Sequence, residues 1–190
     1  MKKNNKKIIA VIGMAGSGKT EAVSYLQKKY NWPKIYLPQP LFDEIKKNHL
    51  EINWKNESKF RSSLREKHGK GVFAKLSLPI IKKLFKDNDV IIIESLYGWD
   101  EYKIIKKAYP TAFKVLAVYA SPEIRFNRLK KRPIRPIKTS RELKERDYNE
   151  IEVTDKGGPI ALADYTIINE KDVNIFYKNL NDVIKKENGK

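Results

Sequence analysis

The sequence predicts an α/β fold, a parallel sheet covered by helices on both faces. Three observations lead there. Short runs of β-branched and apolar residues alternate with segments of helical periodicity, the pattern that builds βαβ units. The first of these runs leads directly into a glycine-rich loop that opens a helix. The chain has 190 residues, which suits a single domain spanning 1–190, and no segment between the strands reads as an interdomain linker.

Lys7 to Ile12 is a short β-branched run ending at Gly13, the signature of a buried parallel strand. From Gly18 to Tyr30, Ala22, Val23, Leu26 and Tyr30 recur at helical spacing. Lys34 to Leu37 is a second strand, closed by Pro38 and Pro40. Leu41 to Leu50 and Ser58 to Lys67 read as helices, the latter broken by Gly69-Lys70-Gly71. Val72 to Asp87 carries one apolar face, and Pro79 should kink or split it. Val90 to Ile93 is the strongest strand. Trp99 to Tyr109 is a helix ended by Pro110, and Lys114 to Tyr119 is the next strand. Ser121-Pro122-Glu123 starts a helix with serine as N-cap and proline in the first turn; it stops before Pro133. Thr139 and Glu142 fit a capping box that opens a helix to about Glu150. Asp155 to Pro159 reads as a turn. Tyr165 to Ile168 is the fifth strand, and Val173 to Ile184 is an amphipathic terminal helix. Two stretches interrupt the alternation, 40–88 and the Arg- and Pro-rich 132–150.

Hydrophobic residues make up 41% of the chain and charged residues 33%, enough for a folded core. The absence of cysteine excludes disulfides, zinc–cysteine sites and thiol catalysis, and it fits a reducing cytoplasm. No apolar run reaches the 18 or more residues of a membrane span. The lysine-rich start followed by Ile8 to Ile12 imitates a signal peptide, but the run is short and leads into the glycine loop. A membrane partner is therefore not expected.

Forty basic residues against 23 acidic ones leave a net charge of +17, which suits polyanionic ligands. Lysine is spread along the whole chain, and loading in Lys, Ile and Asn also fits an AT-rich genome. No helix-turn-helix, RRM or zinc pattern accompanies the charge, so specific nucleic-acid binding is not expected. Arginine is distributed differently. Six of the eight arginines, Arg125, Arg128, Arg132, Arg135, Arg141 and Arg146, fall within 22 residues; Arg61 and Arg65 form a helical i,i+4 pair. The planar arginine fork grips phosphate or carboxylate through two parallel hydrogen bonds, which lysine cannot do. An exposed helix laced with Arg–Glu pairs would also account for part of the cluster.

Gly13-Met14-Ala15-Gly16-Ser17-Gly18-Lys19-Thr20 matches the phosphate-binding P-loop, G-x-x-x-x-G-K-[ST], between a strand and a helix as that motif requires. The loop N–H groups of Gly13, Ala15, Gly16, Ser17 and Gly18 and the helix N-terminus should cradle phosphates. Lys19 should reach the β- and γ-phosphates, and Thr20 should hold Mg²⁺. Glu94, at the end of the central strand, is a metal-side or base carboxylate. Arg128 and Arg132 share a helix face at the edge of the 132–150 segment, and Arg135 and Arg146 flank the loop and helix beyond them. Such a segment closing over the phosphates fits phosphoryl transfer, where charge and exclusion of water do the catalysis.

With these residues the chain resembles the nucleotide-kinase branch of P-loop proteins, which includes adenylate kinase and dephospho-CoA kinase. It is most similar to a family of small archaeal and bacterial kinases near dephospho-CoA kinase. Beyond the loop, the resemblance rests on His68-Gly69-Lys70-Gly71 with Ala74-Lys75, Tyr119-Ala-Ser-Pro-Glu123 with Arg125, Arg128-Leu-Lys-Lys-Arg132, Glu145-Arg146-Asp147, and Ile160 to Tyr165 with Ile168-Asn169. It covers nearly the whole chain. It implies a three-layer α/β/α P-loop fold with a five-strand parallel sheet, ATP and Mg²⁺. It also implies an acceptor-binding insertion at 40–88, carrying Arg61 and Arg65, and an Arg-rich lid at 132–150. By the same resemblance Arg132 and Arg146 touch the transferring phosphate and Arg128 lies near the adenine.

The chain departs from those kinases on the acceptor side. Gln39 and Phe42 stand where the kinases carry Asp and often Arg, and Glu94-Ser95-Leu96-Tyr97 replaces a strand running into Asp-Gly. Gln39 and Tyr97 can hydrogen-bond an acceptor but bring no charge; Asp43 is a substitute base. The expected activity is ATP-dependent phosphotransfer to a small phosphate-bearing acceptor, dephospho-CoA-like or nucleoside monophosphate-like, by a monomer or homodimer. An NTPase switch or assembly factor without a small acceptor, and a nucleic-acid-binding protein, are the alternatives.

Overall fold

The computed structural model describes residues 6–52, 54–96, 98–133, 136–187 and 189. Its sheet has five strands, β1 (Lys7–Ile12), β2 (Lys34–Tyr36), β3 (Val90–Glu94), β4 (Phe113–Tyr119) and β5 (Tyr165–Ile168). Their order is β2-β3-β1-β4-β5 and every pairing is parallel. The chain leaves β1 toward β2 on one side and later builds β4 on the other. The C-terminal end of β1 is thus the switch point where open α/β sheets form their ligand crevice.

Alternation along β1 sends Ile8, Ala10 and Ile12 to one face and Ile9 and Val11 to the other. The first face is covered by α2 (Gln39–Lys47) through Leu41 and Ile45, α4 (Val72–Leu84) through Phe73 and Ile81, and α5 (Trp99–Ala108) through Ile105. The second is covered by α1 (Lys19–Tyr30) through Val23 and Leu26 and by α9 (Val173–Glu187) through Phe176, Leu180 and Ile184. Each such aliphatic side chain removed from water stabilises the fold by about 1.5–3 kcal/mol. This is the expected three-layer α/β/α fold.

The 40–88 stretch forms most of α2, together with α3 (Trp54–His68) and α4. Leu41 and Ile45 of α2 and Phe73 and Ile81 of α4 are buried in the first core, whereas α3 packs on it through the half-buried Phe60 and Leu64. Pro79 lies within α4 without splitting it. The 132–150 stretch contains most of α7 (Ser140–Glu152), which follows α6 (Pro122–Lys130). A small third core of Ala15, Leu129, Ile137 and Leu143 seats this segment against the glycine loop.

Local expectations fail at three points. The α6 helix begins at Pro122, but Ser121 makes no side-chain cap; its N–H donates to the Glu170 carboxylate at 2.6 Å. Thr139 does cap α7, accepting from the Glu142 N–H at 3.2 Å, while the Glu142 carboxylate takes the N–H of Lys138 at 2.8 Å rather than that of Thr139. The turn expected at Asp155 to Pro159 contains a short helix, α8 (Gly157–Ala161). Glycine is a poor helix former, but a Cβ at Gly158 would meet the Trp99 ring at 2.9 Å. Packing against that ring sets the composition there, overriding propensity.

Arg125 fastens the lid segment to the body. Its guanidinium forms a two-pronged pair with Asp147 of α7, both contacts 2.7 Å. It also donates to the carbonyls of Ala120 at 3.1 Å and Ala15 at 3.3 Å. Removing one partner of a buried pair leaves the other charge uncompensated. Arg125→Ala should therefore lose about 3 kcal/mol of unfolding free energy in urea titration. A loss under about 0.5 kcal/mol would show that the pair is an ordinary surface contact.

Candidate active site

The glycine loop runs from the end of β1 into α1. Gly18 precedes the helix in left-handed geometry with φ 103°, and a Cβ there would meet the Asn169 amide nitrogen at 2.2 Å. That amide donates to the Ser17 carbonyl at 2.8 Å, and the Asn169 N–H donates to the Tyr119 carbonyl at 2.7 Å. Arg128 donates to the Asn169 carbonyl at 2.9 Å. The loop is thereby held from behind by β4, β5 and α6. Asn169 carried only the family resemblance at the sequence level; here it shapes the loop.

An anion already engages the loop. The Glu150 carboxylate of α7 accepts the N–H of Ala15 at 3.1 Å. This shows that the loop can serve as an anion receptor, the property a polyphosphate requires. Glu150 also pairs with Lys156 at 2.7 Å and lies 3.5 Å from the Arg146 guanidinium. Burial pushes its carboxyl up, but Lys156, Lys19 and Arg146 outweigh this and hold it below the usual value. Lys156 is 1% exposed. Burial pulls its ammonium below the ordinary lysine range, opposed by Glu150 and assisted by Arg146 and Arg61.

Lys19, first residue of α1, has its ammonium drawn out of water. Desolvation is the main cause that lowers its pKa to about 7, with Lys156, Arg146 and Arg132 adding repulsion and Glu150 opposing them. Both arginines expected of the lid thus act electrostatically on Lys19, Arg146 from α7 and Arg132 from the exposed segment after α6.

Thr20 is exposed at the start of α1. Glu94 follows Ile92 at period 2 and so lies on the sheet face covered by α1. Its carboxylate pairs with Lys34 at 2.8 Å. Among the described residues no group of three or more His, Cys, Asp or Glu side chains could hold a metal ion. A threonine hydroxyl and a carboxylate are ligand types that suit Mg²⁺, which commonly keeps waters and takes only one or two protein ligands; here the carboxylate is engaged by Lys34.

A cavity of about 600 Å³ opens between α3 and α7, beside the loop. Three cations, Arg61, Arg146 and Lys156, line it together with four carboxylates, Glu57, Glu142, Glu145 and Glu150. Arg61 lies 4.0 Å from Glu57. The structure separates the expected acceptor residues. Arg61 faces the cavity, whereas Arg65 lies 3.9 Å from Glu101 and donates to the Val153 carbonyl at 3.1 Å. Gln39 donates to Asp43 at 2.9 Å on the exposed side of α2, and neither lines the cavity. Tyr97 and Arg135 lie outside the described residues. Glu150 and Lys156 were missed at the sequence level: one reads as a helix-end acid, the other as one lysine among 32 in a turn.

The family model of the AAA domain matches residues 9–155. A UPF0200 protein of Thermococcus onnurineus is 31% identical over 94% of this chain and 97% of its own length. Another, of Methanococcus vannielii, is 33% identical over 95% of this chain and 96% of its own. Among solved structures, a shikimate kinase from Bacteroides thetaiotaomicron superposes with a TM-score of 0.57 at 18% identity, covering 93% of this chain and 96% of that one. A gluconokinase from Sinorhizobium meliloti superposes with 0.52 at 12% identity, covering 94% and 91%. At these identities the two structures establish a P-loop kinase-like fold. Together with the loop, the sheet order and full-length similarity to the archaeal proteins, these findings mean that the chain belongs to the UPF0200 family and carries its P-loop in an AAA domain.

Proposed function

We propose that the protein is an ATP- and Mg²⁺-dependent phosphotransferase acting on a small anionic acceptor, dephospho-CoA-like or nucleoside monophosphate-like. The observation that carries this reading is the convergence of Lys19, Arg132 and Arg146 beside a cavity that also presents Arg61 and Lys156. A protein that only hydrolysed ATP would have no use for a chamber of this size next to the phosphate loop.

In this reading Gly13 to Gly18 bind the polyphosphate, Lys19 neutralises its terminal oxygens, and Arg132 and Arg146 face the transferring group. Mg²⁺, held by Thr20 and Glu94, would offset charge on the phosphate oxygens. Arg61 binds the anionic group of the acceptor. Arg128 braces the loop, and Arg65 joins α3 to α5. We place the protein in the cytoplasm; among the described residues no helix is long and apolar enough to cross a membrane.

The test is an acceptor panel with Mg·ATP, following ADP by a coupled assay. It includes dephospho-CoA, nucleoside monophosphates and nucleosides, with shikimate and gluconate for the structural neighbours. Turnover stimulated by an anionic acceptor is the expected result. Hydrolysis at the same rate with and without every acceptor would replace this reading with an NTPase switch.

A further inference from the structure

Glu150 occupies a position whose chemistry belongs to a ligand. Its carboxylate sits on an N–H of the phosphate loop, 135 residues away in sequence, and is the pairing partner of Lys156. Lys156 is almost fully buried among like charges: Lys19, Arg146 and Arg61 all repel it. Burying an ammonium in such company is costly, and a fold that needed only packing here would be served as well by an apolar side chain. The cluster has a different logic as a preformed receptor. Lys19, Lys156 and Arg146 gather around the Glu150 carboxylate, which hangs from the last turns of the lid helix.

We propose that Glu150 is a surrogate phosphate, and that a bound polyphosphate displaces it from the Ala15 N–H and takes Lys156 as a second lysine of the phosphate site. The exchange conserves the loop's hydrogen bond and the neutralisation of Lys156, while the incoming anion brings more charge than the carboxylate it replaces. It also links occupancy of the loop to the position of α7, because Glu150 and Arg146 share that helix. The inference rests on the loop as a polyphosphate site, one part of the function proposed above, and needs no acceptor.

Isothermal titration of the intact protein with tripolyphosphate, and separately with Mg·ATP, tests it. Glu150→Gln keeps the size of the side chain and removes the competing charge. It should tighten tripolyphosphate by about tenfold, the scale of one charge-assisted hydrogen bond. Glu150→Asp keeps the charge but is one methylene too short to hold both Ala15 and Lys156, and should tighten it by a smaller factor. Lys156→Met should weaken binding by about tenfold, and by more in the Glu150→Gln background, where no carboxylate competes for the ammonium. A purely structural ion pair gives another pattern: lower melting temperatures in all variants with tripolyphosphate affinity unchanged. Unchanged or weaker binding by both Glu150 variants overturns the surrogate, and unchanged binding by Lys156→Met overturns the second lysine. A protein that shows this exchange yet transfers phosphate to no acceptor would lose the proposed phosphotransfer while keeping the inference.

Discussion

Lys19→Ala should lower Mg·ATP turnover by about 10³-fold or more, the upper range for deleting one preorganised donor at a developing charge. The same change should not unfold the protein. Lys19 contributes an ammonium to a cationic cluster rather than a side chain to either core. Its pKa of about 7 in the folded chain lies below its ordinary value of 10.5. Between those values the unfolded chain binds the proton and the folded chain releases it, so this group makes stability rise with pH across that window. Below about pH 7 both states are protonated and the folded state bears the full cost of desolvating the ammonium, with the repulsion of its cationic neighbours added. The alanine variant removes that burden. Its melting temperature relative to the parent should be highest near pH 6 and fall toward pH 10. Circular dichroism melts at both ends of the window, with nucleotide titration, test both halves. Full turnover in the variant would remove the P-loop assignment. A stability difference independent of pH would show that the Lys19 ammonium is well solvated, and one that grew with pH that an anion holds its proton.

Most of the scaffold was legible because its signals are local. Val90 to Ile93 are β-branched and bounded by polar residues, so they read as a buried strand without reference to the rest of the chain. Gly13 to Thr20 carry a loop geometry in their own spacing, and Pro122 sets the start of α6 by its fixed φ. The parts that were not legible depend on partners far along the chain. Gly157-Gly158-Pro159 has turn composition, yet Gly158 is required by the approach of Trp99, which no local rule registers. Glu150 ends a helix like many surface acids, and only the packing of α7 against the glycine loop brings it to Ala15. Lys156 is hidden by number, since in a chain with 32 lysines none is singled out by type. Arginine was informative for the opposite reason. Its scarcity and clustering pointed to the α6–α7 region, although the structure divides the cluster between the structural clamp of Arg125, the loop brace of Arg128 and the side chains that act on Lys19.

That division sets the expectation for the lid. Arg132→Ala and Arg146→Ala should each lower turnover by about 10²-fold with the acceptor identified by the panel, and change KM much less. Charge on the transferring phosphoryl group is redistributed in the transition state, so a cation facing it acts mainly there. Arginine fingers in related chemistry are worth about 10³–10⁵ in rate. Here Lys19, Lys156 and the remaining arginine share the load, which reduces the effect of losing one. Arg132→Lys should recover little. It restores the charge but not the two-pronged grip, and a chain this rich in lysine has kept arginine where charge alone does not suffice. Arg146 provides an internal comparison, because its guanidinium lies 3.5 Å from Glu150. If Arg146 were only part of a structural network with Glu150, its alanine variant would melt earlier and turn over normally once folded. Full activity of Arg132→Lys would mean that Arg132 acts as a point charge. A loss in kcat for both alanine variants at unchanged melting temperature is the result that places the two arginines on the reacting phosphate.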